Sequence, residues 1–305
     1  MSVTSSSLFG SLAADLAGSN ALIAKLQQQI ASGSRLSQPS DDPVAAAQAV
    51  RLSSAQGAIS GYQSSATDAT RFLGVADSTL GSMTTALQRV AQLATSAVNA
   101  TNNASSNAAL SAEITSLRDQ LVSLANADSG VPGQSLFGGF SAGAVAQVAG
   151  SWTYTGDSGA VNRQIDATTT MSVNDYGSGV AGGADLFGFT AGAGNDVFSV
   201  LDQLASAVAA GNPAGITAAQ TSLSARSNTI LAARGVVGAQ EARVTSTQTV
   251  LATVKNDNAA QLSTLHDTDV AQAALQLSQA QTGYEAALSV AARVGSLPSL
   301  VDFLR

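Results

Sequence analysis

The 305-residue chain carries 13 Lys and Arg against 20 Asp and Glu, a net charge of −7, and no cysteine. So few basic side chains exclude the cationic footprint of a nucleic-acid binder and give no attraction to an anionic membrane surface. The missing thiols exclude disulfides, thiolate metal sites and cysteine nucleophiles. Apolar residues make up 45% of the chain but aromatic ones only 4%; most of the apolar ones are Ala, which points to thin helix-on-helix packing instead of one deep core.

Residues 5–32 predict an amphipathic helix. Phe9, Leu12, Leu16, Ile23, Leu26 and Ile30 follow three–four spacing with Ser19 the single break, and Gly33 suits the left-handed position past its end. Pro39 and Pro43, with Ser40, Asp41 and Asp42 between them, make 34–43 a turn. Asp41 or Asp42 is expected to cap the next helix, with Pro43 at its first position.

From Leu52 to Ala97, fourteen successive heptad core positions are apolar, among them Ile59, Leu73, Leu80 and Leu87. A stripe repeating every 3.5 residues over this length is buried against partner helices in a left-handed supercoil. A polar loop over 101–107 turns the chain back, and Leu110, Ile114, Leu117, Leu121 and Leu124 form a further helical face ending near Asp128.

The texture changes over 129–194. Fifteen of the 28 glycines and seven of the thirteen aromatics fall there, which favours a small folded β insert over a flexible linker. Alternation at 152–155, a Gly-Asp-Ser-Gly turn at 156–159 and the run 161–165 predict a β-hairpin, with a third strand at 168–173. Helix is expected again from Val197 to Val208. Ile216, Leu223, Ile230, Val237, Val244 and Leu251 then recur every seven residues to about Asn258. A last helix runs from about Asp267, with Val270, Ala274, Leu277, Tyr284, Leu288 and Ala291 on one face, before the closing Leu297, Leu300, Val301, Phe303 and Leu304.

The expected fold is mainly α: a long antiparallel coiled-coil-like helix bundle formed by the N- and C-terminal halves, with a small Gly-rich β insert in the middle. Three domains are expected: 1–36 with 259–305 as a terminal helical domain, 37–128 with 195–258 as a long-helix bundle, and 129–194 as an exposed β-rich insert. One partner helix cannot cover every apolar face of the terminal helices, so their packing is expected to be completed by neighbouring subunits.

Catalysis is not expected. The single histidine, His266, sits with Asp267 and Asp269 in a polar turn that reads as a solvated capping cluster, and neither a nucleophile elbow nor a two-histidine zinc motif is present. No catalytic, metal or cofactor-binding residue is assigned, and no cofactor is expected. No run approaches the ~18 uninterrupted apolar residues of a membrane helix. Residues 1–10 lack the basic segment and apolar core of a cleaved secretory signal.

The segment from Ser32 to Ala46, Ser-Gly-Ser-Arg-Leu-Ser-Gln-Pro-Ser-Asp-Asp-Pro-Val-Ala-Ala, resembles the N-terminal signature of the flagellar hook–filament junction proteins, the third of the flagellin-like hook-associated proteins. Arg35, Pro39, Asp41, Asp42 and Pro43 are its turn and cap positions. Similar too are Leu-Phe-Gly-Gly-Phe at 136–140, Arg-Gly-Val-Val-Gly-Ala-Gln at 234–240, Asp-Thr-Asp-Val-Ala at 267–271 and the Phe-Leu ending. Flagellin itself, which shares the terminal helices and the Asp-Thr-Asp turn, is the near alternative, but flagellins usually carry Asp-Asp-Ala-Ala-Gly where this chain has Pro39-Ser40-Asp41-Asp42-Pro43, and an Ile-Asn-Thr-Asn opening that it lacks. A secreted coiled-coil adhesin is a more distant reading.

The resemblance implies a structural protein of the extracellular bacterial flagellum, exported through the flagellar secretion channel. Its implied partners are other copies of itself in a ring, flagellin, the hook-side junction protein and an export chaperone at the C-terminal region, with neither nucleic acid nor membrane among them. The terminal helices, from Phe9 to Ile30 and from Val270 to Phe303, would form the inner tube.

Overall fold

The computed structural model describes the backbone of residues 2–98, 103–176, 182–192 and 194–295, with side chains from residue 10 to 293 within those ranges. The expected closing positions Leu300 and Phe303 lie outside the described residues. The elements are α1 (Ser2–Ser32), α2 (Pro43–Val98), α3 (Ala104–Ala125), β1 (Val145–Val148), β2 (Ser151–Tyr154), β3 (Asn162–Gln164), β4 (Thr170–Ser172), α4 (Ala184–Phe187), α5 (Val197–Ala209), α6 (Pro213–His266) and α7 (Val270–Gly295). The chain is mainly α with a small β insert, as its periodicity predicts. It divides into two compact units, residues 1–58 with 254–305 and residues 59–253.

In the second unit the heptad stripe is fully buried from Ala66 to Ala94, with Tyr62 and Ala97 half-buried at its ends. Ala66, Ala69, Leu73, Ala76, Leu80, Met83, Leu87, Val90 and Ala94 all have at most 1% of their surface exposed. A second column seven residues apart, Phe72, Thr79, Ala86 and Leu93, is buried beside it, so α2 is covered on a broad face. The Thr79 hydroxyl donates to the Val75 carbonyl at 2.8 Å, which satisfies a buried polar group without leaving the helix. All six seven-spaced positions of α6, from Ile216 to Leu251, are buried. Fully burying one such Leu, Ile or Val contributes about 1.5–3 kcal/mol.

Polar contacts give the direction of packing. Asp77 on α2 meets Arg234 on α6, its Oδ1 accepting at 2.8 Å, and Thr95 meets Gln220 at 3.4 Å. As numbers rise on α2 they fall on α6, so these segments run antiparallel. Likewise Ser111 on α3 donates to the Ala205 carbonyl of α5 at 2.9 Å, and Arg118 pairs with Asp202.

The insert adds Leu136, Phe137, Val161, Ile165, Val173 and Tyr176 to the core shared by these helices. Phe137 packs against Tyr176 and Phe187 with ring centroids 5.1 and 5.6 Å apart.

Strand pairing within the insert differs from expectation. The run at 152–155 does not pair with 161–165. Instead β1 pairs antiparallel with β2, and β3 with β4, in two separate two-stranded sheets. Ala149 and Gly150, at φ 50° and 83°, form the two-residue loop between β1 and β2; two consecutive positive φ values match the right-handed twist of a hairpin. Alanine is an uncommon residue at such a position, so the turn carried no signal. The Gly-Asp-Ser-Gly segment folds onto 138–140 instead: Asp157 accepts the Phe140 and Gly159 amides on Oδ1 at 3.0 and 2.8 Å, and its own amide donates to the Gly138 carbonyl. The helix expected after a 101–107 loop starts earlier, at Ala104, because Asn103 caps it by accepting the Ser106 amide at 2.8 Å.

Candidate subunit-assembly interface

In the first unit α1 pairs with α7. The seam of α1 runs through Leu12, Leu16, Ser19, Ile23, Leu26 and Ile30, all at least half-buried, so Ser19 sits on the stripe instead of interrupting it. On α7 the covered positions are Ala273, Leu277, Ala280, Tyr284, Ala287 and Ala291. Mostly small α7 side chains thus oppose mostly large α1 ones. Of the terminal positions singled out by sequence, Leu12, Leu16, Ile23, Leu26, Ile30, Leu277 and Tyr284 lie on this seam. Val270 and Leu288 do not: they are 48% and 45% exposed. Phe9 lies within α1, outside the described side chains.

The pairing is pinned where α1 ends and α7 begins. Gly33, at φ 69°, turns the chain, and Ser34 forms an isolated antiparallel bridge with Asp267. The Arg35 amide donates to the His266 carbonyl at 2.7 Å, the Arg35 guanidinium to the Leu265 carbonyl at 3.0 Å, and the Thr268 amide to the Gly33 carbonyl at 2.9 Å. His266 Nε2 lies 3.2 Å from the Ser34 hydroxyl, and Asp269 caps α7 by accepting the Ala271 and Gln272 amides. This clasp joins residues 230 or more positions apart. Periodicity carried no signal for it, although Arg35 stood out in the motif.

The two aspartates of the turn have separate tasks. Asp42 is the cap: its Oδ1 accepts the Ala45 amide at 2.9 Å and its carbonyl the Ala46 amide, with Pro43 in the first helical position. Asp41 closes the turn, accepting from Lys25 Nζ at 2.9 Å, the Ser37 hydroxyl at 2.8 Å and the Gln38 amide at 3.1 Å. Pro39 lies in the bend that these bonds enclose. Asp42→Ala is expected to lower the stability of the first unit by about 1 kcal/mol, the usual cost of a lost cap; chemical denaturation of the purified chain checks it.

The Lys25 ammonium, the Ser37 hydroxyl and the Gln38 amide hold the Asp41 carboxyl down from 3.8 to about 2. A depressed folded value places the stabilisation above the ordinary carboxylate range, and it is lost as pH falls from about 4 towards 2. The Gln38 amide resonance is therefore expected to shift within that window, and in Asp41→Asn to lose the transition.

Apolar surface is left over. The described part of the first unit holds only three buried hydrophobic residues, Leu26, Ala45 and Ala273. Yet eight of the thirteen exposed large hydrophobics among the described residues are there, including Leu22, Val44, Val50 and Leu275. A two-helix pair with this balance is an unfinished packing unit.

Residues 10–142 match the bacterial flagellin N-terminal helical region and residues 219–304 the flagellin C-terminal helical region. The chain belongs to the flagellin family. Among its flagellin-family relatives it is 36% identical over 154 residues to flagellar hook-associated protein 3 of Salmonella typhimurium, and 35% over 153 residues to that of Escherichia coli. Each alignment covers 50% of this chain and 48% of the relative, so the chain spans about half the length of the curated relatives it matches. These are the third hook-associated proteins whose motifs the segment 32–46 resembles, and flagellin proper is not favoured.

The fold is shared with a putative flagellar hook-associated protein from Vibrio parahaemolyticus, at a TM-score of 0.66 and 19% identity, over 74% of this chain and 99% of that one. Bacillus cereus FlgL gives 0.58 and 21%, over 71% and 99%. Among the described residues no helix is long and apolar enough to cross a membrane.

Proposed function

We propose that this flagellin-family protein is a structural subunit of the extracellular bacterial flagellum, forming the junction between hook and filament. The exposed apolar surface of the α1–α7 unit carries this reading: surface that one partner helix leaves bare is covered when identical subunits pack side by side. Copies of the chain form a ring, with the hook-side junction protein on one side and flagellin on the other. Residues 1–36 and 259–305 build the inner tube, 37–128 and 195–258 the surrounding bundle, and 129–194 the outer surface.

Before assembly the subunit leaves the cell through the flagellar secretion channel. An export chaperone covers the apolar C-terminal region around Leu277–Leu288, where Leu275 and Leu288 are exposed. The role is structural, not catalytic.

The direct test is a deletion strain. Loss of this protein is expected to leave intact hooks without filaments and to release flagellin monomers into the medium, while restoring the gene returns filaments. Normal filaments in the deletion strain would remove the junction role, and a defect confined to surface attachment would favour the adhesin reading.

A further inference from the structure

The seam between α1 and α7 is periodic, and a periodic seam leaves its own register open. On α1 the seam positions from Leu12 to Ile30 alternate steps of four and three residues. On α7 alanine recurs every seven residues, at Ala273, Ala280 and Ala287. Sliding α1 by seven residues, about 10.5 Å, brings Ile30 to the level of Ile23, Leu26 to that of Ser19 and Ile23 to that of Leu16. Large α1 side chains then meet small α7 ones again, and no charged side chain stands in the seam to oppose the shift.

The direction of this slide is away from the clasp, towards the end of α7. The opposite slide would carry Leu26 and Ile30 past the start of α7 at Val270 and strip them of cover, because Ser34 already lies opposite Asp267. Chain connection does not prevent the favoured slide. Residues 33–42 join α1 to α2, and a ten-residue segment can span about 30 Å. The Lys25–Asp41 ion pair ties α1 to the same segment through an exposed ammonium, and such pairs contribute little.

The clasp, by contrast, occurs once along the chain. The Leu265 and His266 carbonyls belong to the last turn of α6, where no further helical amide is available to them. Arg35 reaches both, His266 through its amide at 2.7 Å and Leu265 through its guanidinium at 3.0 Å. A cation there also sits at the negative end of the α6 dipole. The Gln29 side chain donates to the Arg35 carbonyl at 3.0 Å, which ties Arg35 back to the last turn of α1.

We infer that Arg35 is the register pin of the α1–α7 pair, selecting the observed alignment over one shifted by a heptad that the seam itself accepts. The repeat decides which faces meet, and the end contacts decide how far along they meet. The register also decides which apolar side chains stay covered: the shift would uncover Ala273, which is buried in the observed alignment. The pin is a property of the folded chain and stands whether or not copies of it assemble into a ring.

The chain has no cysteine, so nitroxides attached at Gln28→Cys and Ala292→Cys, both exposed positions, report the alignment of the full chain as a dipolar distance. A single distance is expected with Arg35 in place and with Arg35→Lys, which keeps the amide and a cation. Arg35→Ala should add a second distance shorter by up to about 10 Å. Arg35→Pro removes the amide as well and should raise the share of that second distance several-fold further. Amide exchange along Ala66–Ala94 shows in each variant that the second unit is folded. Two results would each overturn the proposal. A single unchanged distance in Arg35→Pro would mean that the seam sets its own register. A broad spread of distances, in place of a second one, would mean that the clasp holds the helices together without aligning them.

Discussion

A subunit lacking residues 265–305 is expected to disappear from assembled flagella, with filament number falling to that of the deletion strain. The truncation removes α7, the seam from Ala273 to Ala291 that covers α1, and the clasp through which Leu265, His266 and Thr268 hold Gly33 and Arg35. Leu12, Leu16, Ile23, Leu26 and Ile30 then lose their partner face within the chain, and in the proposed ring a neighbouring subunit would meet one helix in place of a pair. The core of the second unit, which runs from Ala66 to Val244, includes none of the described residues that are removed. Its melting midpoint should move by no more than about 2 °C, as for changes remote from a core, and amide exchange along α1 should lose protection while that along Ala66–Ala94 is kept. Filaments growing on hooks that carry only the truncated subunit would show that the tail is dispensable for assembly.

Phe137→Ala is expected to cost about 3–5 kcal/mol, the range for deleting a buried aromatic ring, whereas Phe140→Ala should stay within about 0.5 kcal/mol. The two aromatics belong to the same five-residue motif. Phe137 has no exposed surface and touches the Tyr176 and Phe187 rings, while Phe140 is 52% exposed. Between them the backbone at Gly138 and Gly139 is crowded: a Cβ at Gly138 would meet the Ser135 hydroxyl, and one at Gly139, at φ 69°, the Asp157 carboxylate. Phe137 thus lies at the centre of the insert's buried aromatic cluster, and losing its ring should loosen the packing around Tyr176 and Phe187. Urea denaturation of the two variants separates the cases, and equal losses would contradict the burial that distinguishes them.

Aromatic clustering alone placed both phenylalanines in a folded insert but could not rank them, because a five-residue motif has no periodicity from which an inward face can be read. The long helices are the opposite case. Fourteen apolar heptad positions on α2 and six on α6 pointed to long helices with buried seams, since an apolar face repeating every three to four residues can be hidden in only one way. The extra column of Phe72, Thr79, Ala86 and Leu93 was missed because Thr and Ala do not stand out in an Ala-rich chain; packing within the shared core decides that it is buried.

The same division runs through the first unit. That Asp41 and Asp42 shape a turn, that Pro43 begins a helix and that Gly33 ends one followed from residue type, because caps and prolines act over three or four positions. Which aspartate caps and which one binds Lys25 was decided by the return of the chain past the end of α1. The sequence by itself determined the helices, their apolar stripes and the site of the β insert, all of which are properties of neighbours along the chain. Only the tertiary structure decided the strand partners, the Arg35–His266 clasp and the exposure of Val270 and Leu288. These depend on which distant groups compete for one hydrogen bond or one patch of apolar surface, and a linear pattern carries no record of that competition.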